Sequence, residues 1–321
     1  MLYWPEFDFD FRLDIQRLLP HIAAIHAYQE AGSNRVRPPQ WREQPTLTSA
    51  VSCKDSEDTP GDLSQEQRPR RDSIDTRKQQ LLIRNASMTQ AWVRARFAPG
   101  SALLSLADIL AMHRLVADES GVRDNNGGRL RTLGVRVGRR EVGGLHAGAP
   151  TEKLPLLMDR YVRFINGDHL RSLPPVIQAL VAHFFFTTIH PFDDGNGRVS
   201  RLVSAGILFQ HGYNGHGFYA LSSHFYQNDV KYHSLLHQCW QQPLPFDLTA
   251  FVAFGMEGLA IELQGVNSFI KMKLNRIVER DMVPQPSNKR RGALGRRRLA
   301  AASGISPVSA SFRLGEVNDR E

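Results

Sequence analysis

Apolar residues return every three or four positions over most of this chain. Ile15, Leu18, Leu19, Ile22, Ala23 and Ile25 predict a helix behind an aromatic lead-in of Tyr3, Trp4, Phe7, Phe9 and Phe11. Residues 78–97 and 104–118 predict two more, the second with Leu106, Ile109, Leu110, Met112, His113 and Val116 on its apolar face. Residues 154–165 follow the same period. Pro174 and Pro175 then open a helix in which Ile177, Leu180, Val181, Phe184 and Phe185 imply near-complete burial, and it delivers the chain to His190. Val199, Leu202, Val203, Gly206 and Ile207 predict its successor, starting at Gly195 to Gly197. A helix from Phe225 through Cys239 and two more, over Leu248 to Leu263 and Val266 to Ile277, complete the pattern. Asp108 and His113 read as surface or packing residues.

Two stretches depart from this rhythm. Between Gly127 and Gly148 lie seven glycines and a short β-type run at Leu133 to Val137, which predict a hairpin inserted among helices. From Thr46 to Gln80 only six of 35 residues are clearly apolar, too few to offset the entropy of ordering, so a polar linker is expected there. The predicted fold is all-α with one small β-hairpin. The expected organisation is an N-terminal helical segment (1–45), a linker (46–80), a helical domain (81–282) and a tail (283–321).

Charge sharpens the last boundary. The net charge is +8, and residues 271–321 hold twelve Lys and Arg against five Asp and Glu, a net +7, so the globular body is close to neutral. No run of eighteen apolar residues occurs, and the first residues carry acids where a signal peptide needs positive charge. Cys53 and Cys239 lack metal-ligand spacing and are too few for a disulfide framework. These features predict a cytoplasmic protein with no membrane partner.

The candidate chemistry sits between the two central helices, in His190-Pro191-Phe192-Asp193-Asp194-Gly195-Asn196-Gly197-Arg198-Val199-Ser200-Arg201. The free N–H groups of a helix's first turn, with the positive end of its dipole, hold an anion, and Gly195 and Gly197 let the main chain approach it closely. Arg198 and Arg201 stand three apart and project from one face beside that anion. Asp194, beside bound phosphates, would hold Mg²⁺ rather than repel them. His190 can accept a proton from an attacking hydroxyl. Asp193 reads as solvated.

This stretch resembles the signature of Fic-domain proteins, His-x-Phe-x-(Asp/Glu)-Gly-Asn-Gly-Arg-x-x-Arg, and matches it at every fixed position. The resemblance implies a Fic helical core with a hairpin flap, and transfer of AMP from ATP to a Ser, Thr or Tyr hydroxyl of a target protein, self-modification included. By that resemblance His190 is the base and Asp194 holds Mg²⁺ bridging the α- and β-phosphates. Asn196, with the amides around Gly195 and Gly197, faces the α-phosphate; Arg198 and Arg201 clamp the β- and γ-phosphates; Phe192 anchors the loop. Arg131, Val135, Val137, Gly138 and Pro150 resemble a flap that pairs main chain to main chain with the target. Tyr232 and His233 are the candidates for adenosine contact.

The family's inhibitory pattern, (Ser/Thr)-x-x-x-Glu-(Gly/Asn), has no match, because no Ser or Thr is followed four residues later by Glu. Control by a separate inhibitory protein, constitutive activity and a degraded inhibitory helix all stand open, as does a homodimer. Residues 299–311 carry a helix-turn-helix-like rhythm after basic runs. The tail is read as solvated, with DNA contact as the alternative. The rival functions are a DNA-binding regulator built on a nucleotide-sensing core, another nucleotide donor, and AMP removal.

Overall fold

A helix buried on every side needs apolar residues around its whole circumference, and residues 175–189 supply them. In the computed structural model, whose described residues are 4, 7–33, 88–117, 127–138, 146–213 and 221–282, this segment is the central helix α5 (Pro175–Ile189). Every residue from Val176 to Ile189 is buried. The described residues fall into two units, divided between Ser268 and Phe269. Of the second, residues 269–282 are helical.

The other helices are α1 (Ile15–Ser33), α2 (Leu106–Ala117), α3 (Leu154–Asn166), α4 (Asp168–Arg171), α6 (Asn196–Gln210), α7 (Leu221–Gln227), α8 (Asp229–Trp240) and α9 (Thr249–Met282). Residues 88–96 are helical as well. The fold is thus all-α with minor strands, as the periodicity predicts. None of the described helices is long and apolar enough to cross a membrane.

α5 and α6 pack closely. Ser204 Oγ donates to the carbonyl of Ala179 at 2.9 Å, and Gly206 lets Phe97 approach the outer face of α6, where a Cβ would lie 3.1 Å from its ring. Phe184, Phe185 and Phe186 carry the core outward on successive faces, each fully buried and each stabilising the fold by about 1.5–3 kcal/mol. On one side Phe185 meets an aromatic strap formed by Phe7, Phe9 and Phe11. That strap is extended, and β1 (Phe11–Arg12) pairs in parallel with β4 (Phe246–Asp247). Asp14 then starts α1 by accepting the Arg17 N–H.

Two expectations about helix ends are corrected. The helix expected from Phe225 through Cys239 is two helices, because Asn228 ends α7 and begins α8. Its backbone N–H and its side-chain Nδ2 both reach the His224 carbonyl, at 3.1 and 3.0 Å, while its own carbonyl accepts Tyr232 N–H at 2.9 Å. The two helices expected over 248–277 are the single element α9: only Gln264 and Gly265 separate their patterns, and the ~1 kcal/mol an interior glycine costs does not interrupt the helix.

The predicted hairpin is present as β2 (Arg136–Val137) antiparallel to β3 (His146–Ala147), with Arg136 opposite Ala147 and Val137 opposite His146. The linker, the basic tail, residues 78–87 of the first predicted helix of the domain and the hairpin tip at 139–145 lie outside the described residues.

Candidate active site

α5 ends where the chain turns sharply at His190. With φ 53° and ψ 64°, His190 is left-handed, and among the described residues it is the only non-glycine with positive φ. An L-residue pays roughly 1–2 kcal/mol for this, so its neighbours must hold it there. Its N–H donates to the Phe186 carbonyl at 2.9 Å, closing the helix. Its Nδ1 lies 3.3 Å from the Thr187 carbonyl, which can only accept. The proton therefore belongs on Nδ1 and the lone pair on Nε2, the arrangement a general base requires.

Arg131 fixes the other side of this turn. It is buried, and its Nε donates to the His190 carbonyl at 2.7 Å, its Nη1 to Leu133 at 2.8 Å, and its Nη2 to Ala149. Two backbone bonds run parallel, from Arg131 N–H to Pro191 at 3.0 Å and from Ala149 N–H to Ile189 at 3.0 Å. The guanidinium of this flap residue thus points inward and braces the base of the hairpin against the histidine. Gly148 makes the approach possible: a Cβ there would sit 2.8 Å from Val135 Cγ2, 2.9 Å from Arg131 Nη2 and 3.4 Å from His190 Cβ. Val137 is buried, Val135 and Gly138 are half-buried, and Gly138 is left-handed at φ 100°.

The hairpin is held from its far side too. His146 stacks on Trp240 at 4.3 Å and its Nε2 lies 3.1 Å from the Thr188 carbonyl. Trp4 Nε1 donates to the Ala147 carbonyl at 3.2 Å. Burial, with lesser repulsion from His190, pushes His146 down to about 4.

Beyond the base, the loop closes on itself. Phe192 N–H donates to Asn196 Oδ1 at 2.9 Å and Asn196 Nδ2 returns a bond to the Phe192 carbonyl at 2.8 Å. Asn196 is fully buried. Its side chain pins the loop through these two bonds, and its backbone amide lies in the first turn of α6. Gly195 is the N-cap of α6 in left-handed geometry at φ 78°, and no side chain caps this end. The first amides of this fifteen-residue helix are therefore not taken up by a capping side chain, which is the condition an anion site at a helix N-terminus requires.

Charge gathers at the same end. Arg198 Nη2 lies 3.1 Å from both carboxylate oxygens of Asp194, and its Nη1 donates to the Val116 carbonyl at 3.0 Å. Asp194 also accepts the Gly195 N–H. Arg201, one turn further on, is half-buried and helps burial to push His183 down to about 3. Among the described residues no three His, Cys, Asp or Glu side chains form a metal cage. One partly exposed carboxylate suits Mg²⁺ carried in on phosphates, since that ion keeps its waters and takes few protein ligands.

One residue assigned to packing in the sequence belongs to this assembly. His113, on α2, stacks on Phe192 with centroids 3.7 Å apart and planes 5° apart. Its Nε2 lies 3.1 Å from the Asp194 carbonyl, and its Nδ1 accepts the Gly128 N–H at 2.9 Å. A histidine on an apolar helix face was the available signal. Asp108 is structural as expected, bound to Arg96 at 2.7 Å and to Ser105.

Tyr232 and His233, expected at the adenosine, are both buried. Tyr232 stacks on Phe225 at 4.9 Å and its hydroxyl meets His183 Nε2 at 2.9 Å, so the structure gives it a packing role between α5 and α8. The ring of His233 lies against that of Tyr232.

Residues 103–208 match the Fic/DOC family. Proteins named protein adenylyltransferase Fic from Drosophila erecta and Drosophila melanogaster are each 39% identical over 110 residues, and that from Drosophila persimilis is 40% identical. The matched segment is 34% of this chain and only about a fifth of the length of those relatives, 21% for the first. Among solved structures, a Fic family protein from Desulfovibrio desulfuricans G20 aligns over 80% of this chain and 67% of its own, at 23% identity and a TM-score of 0.50. Fic-1 (residues 134–508) from C. elegans aligns over 79% of this chain and 74% of its own, at 19% identity and a TM-score of 0.57. At these identities the structures speak for the fold. Residues 103–208 therefore match the Fic/DOC family, and the fold of the chain resembles that of solved Fic proteins.

Proposed function

We propose that the chain transfers AMP from ATP to a hydroxyl side chain of a protein. The observation that carries this reading is the juxtaposition of a tautomer-fixed histidine with the uncapped N-terminus of α6, the Asp194–Arg198 pair at its lip. The name shared by the matched relatives supports it.

In the proposed reaction the hydroxyl oxygen attacks the α-phosphorus, its proton passes to His190 Nε2, and the bond to the β-phosphate breaks to release pyrophosphate. Amides at Asn196 and Gly197 would stabilise negative charge on the α-phosphate. Arg198 and Arg201 would hold the outer phosphates, Arg198 exchanging its present bond to Asp194 for them. Asp194 would hold Mg²⁺, which when bound neutralises phosphate charge. The hairpin would present the target backbone beside His190. A cytoplasmic setting belongs to the same proposal.

The test uses ATP labelled on the α- or the γ-phosphate, with Mg²⁺, and follows label on the protein itself and on lysate proteins. Retention of α-label, lost by more than about 100-fold in His190→Ala, is the expected result. Retention of γ-label, or no α-label on any protein despite nucleotide binding, would overturn the proposal.

A further inference from the structure

We infer that His113 is a positioning residue for the nucleotide site: it holds the Asp194 peptide and the Phe192 ring so that the Asp194 carboxylate and the first amides of α6 face one anion together. The inference rests on the reading of this site as a Mg²⁺–nucleotide site, and deepens it.

Three contacts converge on one imidazole. The Gly128 N–H donates to Nδ1 at 2.9 Å, which leaves that nitrogen without a proton. Nε2 must then carry the hydrogen and donate it to the Asp194 carbonyl at 3.1 Å. The ring face lies flat on Phe192 at 3.7 Å, and Phe192 is tied through its own backbone to Asn196. His113 therefore touches the loop on both sides of Asp193.

The same end of α2 takes part again through Val116, whose carbonyl receives Arg198. Two residues one turn apart on α2 thus fix both members of the Asp194–Arg198 pair, one through its main chain and the other through its guanidinium. The Asp194 peptide is also the link into Gly195, whose left-handed geometry starts α6. Freeing that peptide lets the carboxylate and the helix amides drift relative to each other. Residues that orient a ligand-bearing group in this way typically change metal affinity or activity 10–100-fold when replaced.

Two substitutions separate the hydrogen bonds from the packing. His113→Phe keeps a flat, somewhat larger ring on Phe192 but can neither accept from Gly128 nor donate to Asp194. His113→Gln loses the ring but can do both. Binding of a fluorescent ATP analogue, titrated with and without Mg²⁺, is the first readout, because it does not require transfer to occur. The expected result is a loss of Mg²⁺-dependent affinity on the order of 10–100-fold in His113→Phe, largely restored in His113→Gln.

In the nucleotide-free proteins, amide hydrogen exchange over residues 190–198 should be faster in His113→Phe than in His113→Gln. Where α-label transfer is measurable, the loss should fall on KM for Mg²⁺–ATP with kcat within a few-fold of wild type. Far-UV circular dichroism identifies a variant that fails to fold, and the pair is then His113→Gln against His113→Leu. Equal Mg²⁺-dependent binding in His113→Gln and in the variant it is paired with, Phe or Leu, would overturn the inference. Absence of transfer in the wild type would overturn the proposed activity while leaving the binding comparison intact.

Discussion

Acid should unfold this protein through histidines that its core refuses to charge. His183 is fully buried on α5 and is pushed down to about 3 by burial, with Arg201 repelling a proton further. His146 lies between Trp4 and Trp240 and is pushed down to about 4, also by burial first, with His190 and His237 adding repulsion. In the unfolded chain both titrate near ~6.5. A group whose folded pKa is depressed in this direction costs nothing above pH ~6.5. It penalises the fold as pH falls through that value, until the folded form itself takes the proton. At pH 5 the unfolded imidazoles are charged and the folded ones are not, so each removes about 2 kcal/mol, and the two together about 4 kcal/mol. Against a total stability of roughly 5–15 kcal/mol this is a large fraction. The assay is urea unfolding at pH 7.5 and pH 5.0, for wild type and for the double variant His146→Gln/His183→Gln. Glutamine keeps a donor for Thr188 and for the Tyr232 hydroxyl but does not titrate. Other histidines are common to both proteins and cancel in the comparison. Wild type should lose about 4 kcal/mol more than the double variant between the two pH values. With a slope of about 3 kcal/mol/M, the urea midpoint of wild type should drop by at least ~1 M more than that of the double variant. Equal losses in the two proteins would refute the argument.

Other perturbations follow from the same packing. Gly148→Ala places a methyl 2.8 Å from Val135 and 2.9 Å from Arg131, so it should cost about 1–3 kcal/mol in urea unfolding and should lower label transfer by moving the hairpin off His190. Arg131→Met leaves the carbonyls of His190, Leu133 and Ala149 without that donor; a loss of roughly 2–5 kcal/mol is expected, read as a lower melting temperature. Gly255→Ala drives a Cβ to 2.3 Å from Leu180 Cδ2, deep between α5 and α9, and should destabilise by about 1–3 kcal/mol. Adding Leu180→Val should recover part of that loss, whereas strictly additive losses would show the contact to be unimportant.

What could be read from the sequence was whatever repeats or is contiguous. The α5 and α6 patterns are legible because burial imposes a period, and the site loop because its twelve residues are consecutive. The β1–β4 pairing joins two-residue strands more than 230 positions apart, and no local pattern announces it. The break at Asn228 depends on one side chain folding back onto His224, inside an otherwise helical sequence. The bracing role of Arg131 and the site contacts of His113 were hidden for a related reason: the backbone partners of each are brought together only by the fold. The resemblance of the loop indicated which residues matter without showing which way Asn196 turns, and the structure turns it inward.

Arg131 gives the hairpin and the base-bearing turn a single mechanical identity. Four hydrogen bonds, two from its guanidinium to His190 and Ala149 and two between the backbones of 131 and 191 and of 149 and 189, tie the base of the hairpin to the turn at His190. They act as a jig. An extended segment laid along the hairpin, as the proposed reaction requires, would inherit its distance to the imidazole from the way this chain folded and not from its own side chains. In the proposed reaction, loose recognition and accurate alignment would cease to compete: the part that would receive the visitor could be indifferent to its sequence, because the tolerance was set when the protein was made.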